Sequence, residues 1–184
     1  MLCIRDMDLA KHIVKNVFLL TGEPKIGKTT VLKEIIDLVG NEKCGGFFTE
    51  EVRNENGRTG FKVISLDGKE DMLADIGLDS NLKVGRYNIN LDVFEGIAVK
   101  SIYEAIKNKE YIIIDEIGPM QLYSVKFKDA VSEAINSGKT IIGTIVFRPY
   151  EWADDIKKNK NVELIELTLE NRGDIPFKIL KIEK

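Results

Sequence analysis

The 184-residue chain has few of the residues that build many kinds of functional site. It contains two cysteines, one histidine and six arginines. Cys3 and Cys44 form no CxxC pair, and His12 has no Cys or Glu neighbour at metal-ligand spacing, so a zinc site is not expected. A single histidine also excludes any catalytic triad that needs His, except one built on His12. Because cysteines are few and no secretory signal pattern is present, we expect a cytoplasmic protein.

Long apolar runs and a strong charge excess are absent as well. No run approaches the ~18 residues of a membrane-spanning helix, so no membrane partner is expected. The formal net charge is −3, from 27 basic and 30 acidic residues, which is too balanced for a general nucleic-acid coat. With 43% hydrophobic and 31% charged residues, the composition is that of an ordinary globular protein. We therefore expect one monomeric domain over residues 1–184, with residues 1–15 as a short helical lead-in and no strong nucleic-acid signal.

Strand patterns and helix patterns alternate along the chain. Continuous apolar runs, typical of buried parallel strands, occupy residues 16–21, 111–114 and 140–147. Apolar residues recur at helical spacing in three longer segments and one short one, namely residues 29–39, 93–107, 124–136 and 150–157. The alternation predicts an α/β fold in three layers, with a mostly parallel central sheet covered by helices on both faces.

Other segments predict additions to this sheet. Residues 45–52 and 60–66 flank an Asn-Gly turn, which predicts an antiparallel β-hairpin inserted over residues 45–66. Residues 71–89 could hold short strands. Residues 163–169 alternate as a strand, and residues 176–182 are expected to add a last edge strand.

The first apolar strand is followed by a complete G-x-x-x-x-G-K-[ST] motif, the phosphate-binding loop known as Walker A. Its glycines let successive N–H groups point inward at phosphate oxygens, and the following helix adds its positive dipole end. Lys28 would reach the β- and γ-phosphates, and the Thr29 hydroxyl would ligate Mg²⁺. Lys25 could contact phosphate or point to solvent. The candidate nucleotide-binding residues are Gly22, Glu23, Pro24, Lys25, Ile26, Gly27, Lys28, Thr29 and Thr30.

Two acids, Asp115 and Glu116, follow the apolar run at 111–114 in a Walker B pattern. They would lie at the carboxyl edge of the sheet, where ligands of α/β folds gather. Because neighbouring strand residues point to opposite sides, we expect different roles for them. Asp115 would hold Mg²⁺ through a coordinated water, and Glu116 would orient or deprotonate the attacking water. Glu116 and Lys28 are thus the candidate catalytic residues, and both acids belong to the nucleotide site.

Two nearby features leave alternatives open. The run Asp-Glu-Ile-Gly at 115–118 also fits the D-x-x-G switch of regulatory GTPases, but no Asn-Lys-x-Asp motif for guanine accompanies it. We therefore favour a glutamate-type nucleotide hydrolase. Thr144, near the end of the next strand, could sense the γ-phosphate or simply favour β-structure.

Phosphoryl transfer develops charge that a second cation usually stabilises. Among the six arginines, Arg148 follows the strand that carries Thr144 and is the best-placed candidate, with Arg172 and Arg53 next. A surface salt bridge is the competing explanation for each. If none of them serves, the isolated chain should hydrolyse nucleotide slowly.

The chain resembles the thermophilic nucleoside-triphosphatase family, whose human member is called cancer-related nucleoside-triphosphatase. The resemblance spans roughly residues 17–176. It is carried by GEPKIGKTT at 22–30, GGFFTEEVR at 45–53, VGRYNINLDVFE at 84–95, IIIDEIGPMQLYS at 112–124 and ENRGDIP at 170–176. It implies a RecA-like sheet with added antiparallel strands, and Mg²⁺-dependent hydrolysis of ATP, GTP and other nucleoside triphosphates to diphosphate and phosphate with loose base choice. The family pattern DEIGKMEL is altered here, because Pro119 replaces its lysine and Gln121 its glutamate.

Two other functions fit part of the pattern. A small nucleotide or nucleoside kinase would also carry the phosphate loop, and residues 71–90 could hide its acceptor site. Six dispersed arginines disfavour the arginine-rich lid of such kinases. An ATP-dependent switch for an RNA or protein partner would use Glu116 to set the lifetime of the bound nucleotide.

Overall fold

The computed structural model describes residues 15–184, so the expected lead-in helix falls, except for Lys15, outside the described residues. Over that range the chain forms nine β-strands and six α-helices. The strands are β1 Val17–Thr21, β2 Cys44–Asn54, β3 Gly57–Ser65, β4 Glu70–Asp75, β5 Lys83–Val84, β6 Tyr87–Ile89, β7 Tyr111–Ile117, β8 Thr140–Ile145 and β9 Val162–Glu166. The helices are α1 Lys28–Val39, α2 Leu91–Phe94, α3 Lys100–Asn108, α4 Val125–Asn136, α5 Glu151–Lys157 and α6 Ile175–Leu180, with a π-helical stretch, Glu95–Val99, joining α2 to α3.

All nine strands belong to one sheet, in the order β5-β6-β4-β3-β2-β7-β8-β1-β9. The half made of β2, β7, β8, β1 and β9 is parallel, and the half from β2 outward to β5 is antiparallel. The predicted hairpin is the β2–β3 pair, and residues 71–89 supply the short strands β4 to β6. The first residues of β2 also pair in parallel with β7, so this strand joins the two halves.

Helices cover both faces of the sheet because the central strands are apolar on both sides. In β1, Val17 and Leu19 pack toward one face, whereas Phe18 and Leu20 pack toward the other. Helices α1 and α6 cover the Phe18 face, and α3, α4 and α5 cover the Val17 face. This arrangement is the predicted three-layer α/β fold.

The last predicted strand is wrong, because residues 175–180 form helix α6. Ile175, Pro176 and Ile179 are its buried residues, and they recur at the spacing of a helical turn rather than of a strand. Proline is tolerated here because it lies in the first turn, where its missing N–H costs no hydrogen bond. Burial against α1 decides the conformation of this segment.

No helix between residues 15 and 184 combines the length and apolar character needed to cross a bilayer.

Candidate active site

The loop between β1 and α1 curls into a cradle of main-chain amides. Three of its residues have positive φ, namely Gly22 at 135°, Lys25 at 69° and Gly27 at 107°. A Cβ on Gly22 would also lie 2.9 Å from the carbonyl oxygen of Leu167, so no side chain fits there. Gly27 is the residue at which the chain turns into α1. A loop of this shape at a helix N-terminus is a binding site for phosphate groups.

The ammonium group of Lys28 closes this cradle. Its Nζ donates hydrogen bonds to the carbonyl oxygens of Gly22, at 2.8 Å, and Glu23, at 3.1 Å. The ammonium group is therefore held over the loop by neutral acceptors and forms no ion pair with a carboxylate of the described residues. A polyphosphate would offer this ammonium group stronger, charged acceptors.

Asp115, near the end of β7, is linked to the loop by hydrogen bonds. Its Oδ2 accepts a bond from the Thr29 hydroxyl at 2.7 Å, and its Oδ1 accepts one from the Thr144 hydroxyl at 2.5 Å. Burial raises the pKa of Asp115, and the bonds from Thr144 and Thr29 act in the opposite direction. Two hydroxyl donors thus favour the ionised form of a carboxylate that is 3% exposed.

Glu116 is half-buried and accepts no hydrogen bond from the described residues. Burial raises its pKa, the neighbouring charge of Asp115 raises it further, and Lys28 lowers it. Asp115 and Glu116 both line one cavity, although simple alternation would point them to opposite sides. The alternation fails because the β7–β8 ladder shifts register between Ile114 and Ile117. The expectation of different roles rests instead on their surroundings, since Asp115 is anchored and Glu116 is free to meet a substrate.

The cavity has a volume of about 530 Å³ and joins the cradle to the antiparallel half of the sheet. Of the predicted loop residues, all but Ile26 line it. The Ile26 side chain packs against the apolar cluster beneath α1, and only its backbone belongs to the loop. The full lining is Gly22, Glu23, Pro24, Lys25, Gly27, Lys28, Thr29, Thr30, Thr49, Glu51, Arg58, Phe61, Asp115, Glu116, Thr144, Val146, Phe147 and Arg148.

The three arginines named from the sequence lie in different surroundings. Arg148 lines the cavity and is exposed. Arg172 lies beside the cradle, with its Nη1 3.5 Å from the carbonyl oxygen of Ile26. Arg53 lies outside the cavity and pairs with Glu51.

Six lining residues were not predicted from the sequence. Four come from the β2–β3 pair and two follow β8: Thr49, Glu51, Arg58, Phe61, Val146 and Phe147. Part of this set could have been found from the sequence. Thr49 and Glu51 follow Phe47 at strand spacing, which places them on one face of β2 beyond its apolar start. Pro119 and Gln121, the two departures from the family pattern, do not line the cavity, and Gln121 is buried.

The oxygen donors that could hold a cation are few. Within residues 15–184, no group of three or more His, Cys, Asp or Glu side chains could hold a metal ion. Thr29 and Asp115 offer a hydroxyl and a carboxylate in direct contact, which is the hard-oxygen chemistry that Mg²⁺ prefers. Mg²⁺ in such sites takes most of its remaining ligands from water and phosphate.

The chain is similar to known nucleoside-triphosphatases. A family model described as NTPase matches residues 17–180. Nucleoside-triphosphatase THEP1 of Thermotoga maritima is 42% identical over 166 residues, which cover 90% of this chain and 94% of the relative. The cancer-related nucleoside-triphosphatase homolog of Mus musculus is 34% identical over 176 residues, covering 88% and 92%. The crystal structure of THEP1 from Aquifex aeolicus has a TM-score of 0.80 at 37% identity, covering 91% of this chain and 99% of that one.

Proposed function

This chain belongs to the NTPase family and is a nucleoside-triphosphatase. From that premise, we propose that it hydrolyses ATP, GTP and other nucleoside triphosphates to diphosphate and phosphate. We propose that the reaction is slow and depends on Mg²⁺. The observation that supports this most directly is a single cavity that contains the amide cradle, the Lys28 ammonium group and the Asp115–Glu116 pair. One chain supplies all of these groups.

The triphosphate tail would lie in the cradle. Lys28 would exchange its two neutral carbonyl acceptors for negatively charged phosphate oxygens, which attract its ammonium group more strongly. The N–H groups at the start of α1 would bind the same oxygens.

Thr29 and Asp115 are the residues that would hold Mg²⁺, the latter through a coordinated water. When bound, the ion would neutralise phosphate charge. The present contact between the Thr29 hydroxyl and Asp115 already fixes both oxygens on one side of the cradle, and Thr144 fixes the second carboxylate oxygen.

Glu116 would orient the attacking water and accept its proton. This carboxylate lines the same cavity as Lys28 and accepts no hydrogen bond from the described chain, so it is available to a water molecule. Attack of the water oxygen on the γ-phosphorus would break the bond to the β–γ bridging oxygen and release phosphate and the nucleoside diphosphate.

Slow turnover and loose base choice are part of the proposal. Of Arg53, Arg148 and Arg172, only Arg148 lines the cavity, and no hydrogen bond within the described chain holds its guanidinium group in place. The described lining contains no Asn or Gln side chain to read a base edge, whereas Val146 and Phe147 offer an apolar surface to any base.

The test is phosphate release from ATP, GTP, CTP, UTP and the deoxynucleotides, each with and without Mg²⁺. We expect activity on several of them, only with the ion, and well below tens of turnovers per second. Lys28→Ala should weaken triphosphate binding much more than nucleoside binding. Glu116→Gln, a matched isosteric variant, should bind nucleotide normally and lose hydrolysis. Retained hydrolysis in Glu116→Gln would show that a group other than Glu116 accepts the proton of the attacking water.

The same assay separates the two alternative functions. A kinase would need a phosphate acceptor, so phosphate release that is unchanged by added nucleosides or nucleotides counts against it. None of the described lining residues comes from residues 71–90, the segment suggested as an acceptor site. Stimulation many-fold by RNA or by a cell extract would instead favour a switch module.

A further inference from the structure

The part of the β2–β3 hairpin beyond Phe47, residues 48–64, forms an arm that lines the same cavity as the phosphate cradle. Strand β2 runs parallel to β7, with Phe47 opposite Ile114, and then continues past it. Glu51 lies four residues beyond Phe47, which is about 13 Å further along the strand. Strand β3 returns antiparallel to β2, so the tip of this hairpin lies beyond the carboxyl edge where Asp115 and Glu116 are found. The arm thereby brings Arg58 into the cavity lining.

Arg58 is held in place more firmly than any arginine named from the sequence. Its Nε donates a hydrogen bond of 2.9 Å to the Tyr87 hydroxyl, and its Nη1 pairs with Glu51. The guanidinium group lies 5.0 Å from the ring centroid of Phe61 and 5.5 Å from that of Tyr87. Tyr87 is itself buried, so the support is rigid. An arginine anchored this way loses little side-chain entropy when an anion binds.

Glu51 is paired with two arginines of the arm. Arg53 and Arg58 lie opposite each other across the β2–β3 pair, with Glu51 between them. Arg53 binds one carboxylate oxygen of Glu51 through both Nε and Nη2, and Arg58 binds the other oxygen. Two arginines therefore share one carboxylate. Within the described chain, Nη2 of Arg58 donates to no acceptor, and its side chain is 37% exposed.

We propose that Arg58 is the cation that acts in cis on the terminal phosphate and on the negative charge that develops there during transfer. This inference rests on the proposed hydrolysis. Arg148 reaches the same cavity without any anchoring bond in the described chain, whereas Arg58 already has two, and its remaining N–H groups suit the forked recognition of phosphate. Arg53 acts through Glu51, because it neutralises the carboxylate that would otherwise compete with phosphate for Arg58.

The test compares Arg58→Ala and Arg58→Lys with Lys62→Ala. Lys62 is the control, since it is a cation of the same strand that pairs with Glu70 and does not line the cavity. Steady-state hydrolysis would give kcat and KM, and a nonhydrolysable triphosphate analogue would give Kd. We expect Arg58→Ala to lower kcat roughly 10²-fold, less than the 10³–10⁵ of a dedicated arginine finger because Glu51 shares its charge. Arg58→Lys should recover part of this loss, and Lys62→Ala should keep kcat.

A second variant keeps the inference falsifiable if Arg58→Ala does not fold. Glu51→Gln preserves the shape of the side chain and removes the competing charge, so it should tighten binding of the analogue. The gain should be smaller in the Arg58→Lys background, because an ammonium group cannot form the forked contact. Unchanged binding in Glu51→Gln, unchanged kcat in Arg58→Ala, or an equal loss in Lys62→Ala would overturn the role of Arg58. Hydrolysis by the natural chain would still stand in those cases, whereas a natural chain inactive on every triphosphate would refute the proposed function itself.

Discussion

Two buried threonines on neighbouring strands allow a direct measurement of how Asp115 is held. Thr144 on β8 is fully buried and donates its hydroxyl to Asp115. Thr21 at the end of β1 is 6% exposed, and among the described residues its hydroxyl is the one buried side-chain polar atom without a hydrogen-bond partner. Replacing each by valine keeps the shape and exchanges a hydroxyl for a methyl group.

The two substitutions should change the free energy of unfolding in opposite directions. Thr144→Val removes a hydrogen bond to a charged acceptor, which contributes about 1.5–3 kcal/mol. Asp115 would keep only the bond from Thr29, in a place where burial already disfavours its charge. Thr21→Val removes a hydroxyl whose desolvation nothing offsets, so it should stabilise the fold by about 1 kcal/mol. The two variants should therefore differ by roughly 3 kcal/mol.

Urea unfolding at pH 8 without nucleotide measures both values, and unchanged m-values would show that the unfolded states are comparable. Hydrolysis measured on the same samples should fall in Thr144→Val, because the carboxylate that would serve the metal is less well fixed, and should be unchanged in Thr21→Val. If the two variants unfold at the same urea concentration, the bond between Thr144 and Asp115 does not stabilise a charged carboxylate, and the reasoning about this site is refuted.

Three further predictions concern the core. Phe127 packs edge-on against Phe94 at 5.2 Å and Phe47 at 6.0 Å, so Phe127→Ala should cost about 3–5 kcal/mol in thermal or urea unfolding, and a cost below 1 kcal/mol would contradict this packing. Ser124 caps α4 by accepting a bond from the Phe127 N–H, and Ser124→Ala should cost about 1–2 kcal/mol by the same measurement; no loss would mean that the cap is not formed. Burial raises the pKa of the Cys44 thiol from 9.0 to about 11, so between these values the folded chain keeps a proton that the unfolded chain releases. The free energy of unfolding should therefore fall, relative to Cys44→Ala, as the pH rises from about 9 to about 11, and a constant difference would show that the thiol is not buried in solution.

The sequence was sufficient wherever the structure is decided by neighbours along the chain. The phosphate loop, its strand and its helix are encoded in one continuous stretch, and the amide cradle lies where the glycine spacing predicts. The acids at 115 and 116 follow a run of apolar residues that only a central strand could bury. The hairpin over residues 45–66 was readable from its Asn-Gly turn.

The sequence misled where contacts between distant residues decide the outcome. Residues 175–180 contain enough apolar positions for either a strand or a helix, and packing of Ile175 and Ile179 under α1 selects the helix. The β7 acids could not be oriented from alternation, since the register shift after Ile114 depends on pairing with β8.

Arg58, which we propose as the cation of the reaction, was not among the arginines that the sequence singled out. From its position along the chain, Arg148 was the best-placed candidate for the second cation, because it follows a central strand. Arg58 belongs to a hairpin that the sequence analysis treated as an insertion. What brings Arg58 to the cavity is the continuation of β2 beyond its pairing with β7, together with the β2–β3 register that sets it opposite Arg53. The pairing of β2 with β7 is not visible in a local pattern. The antiparallel half of the sheet is therefore more than an extension of a nucleotide-binding fold: through Glu51, Arg58 and Phe61 it forms a wall of the cavity that the parallel half leaves open. The amide cradle and its lysine are common to many phosphate-binding loops. Under the proposal for Arg58, the hairpin adds to them the side chains that complete the cavity in this chain.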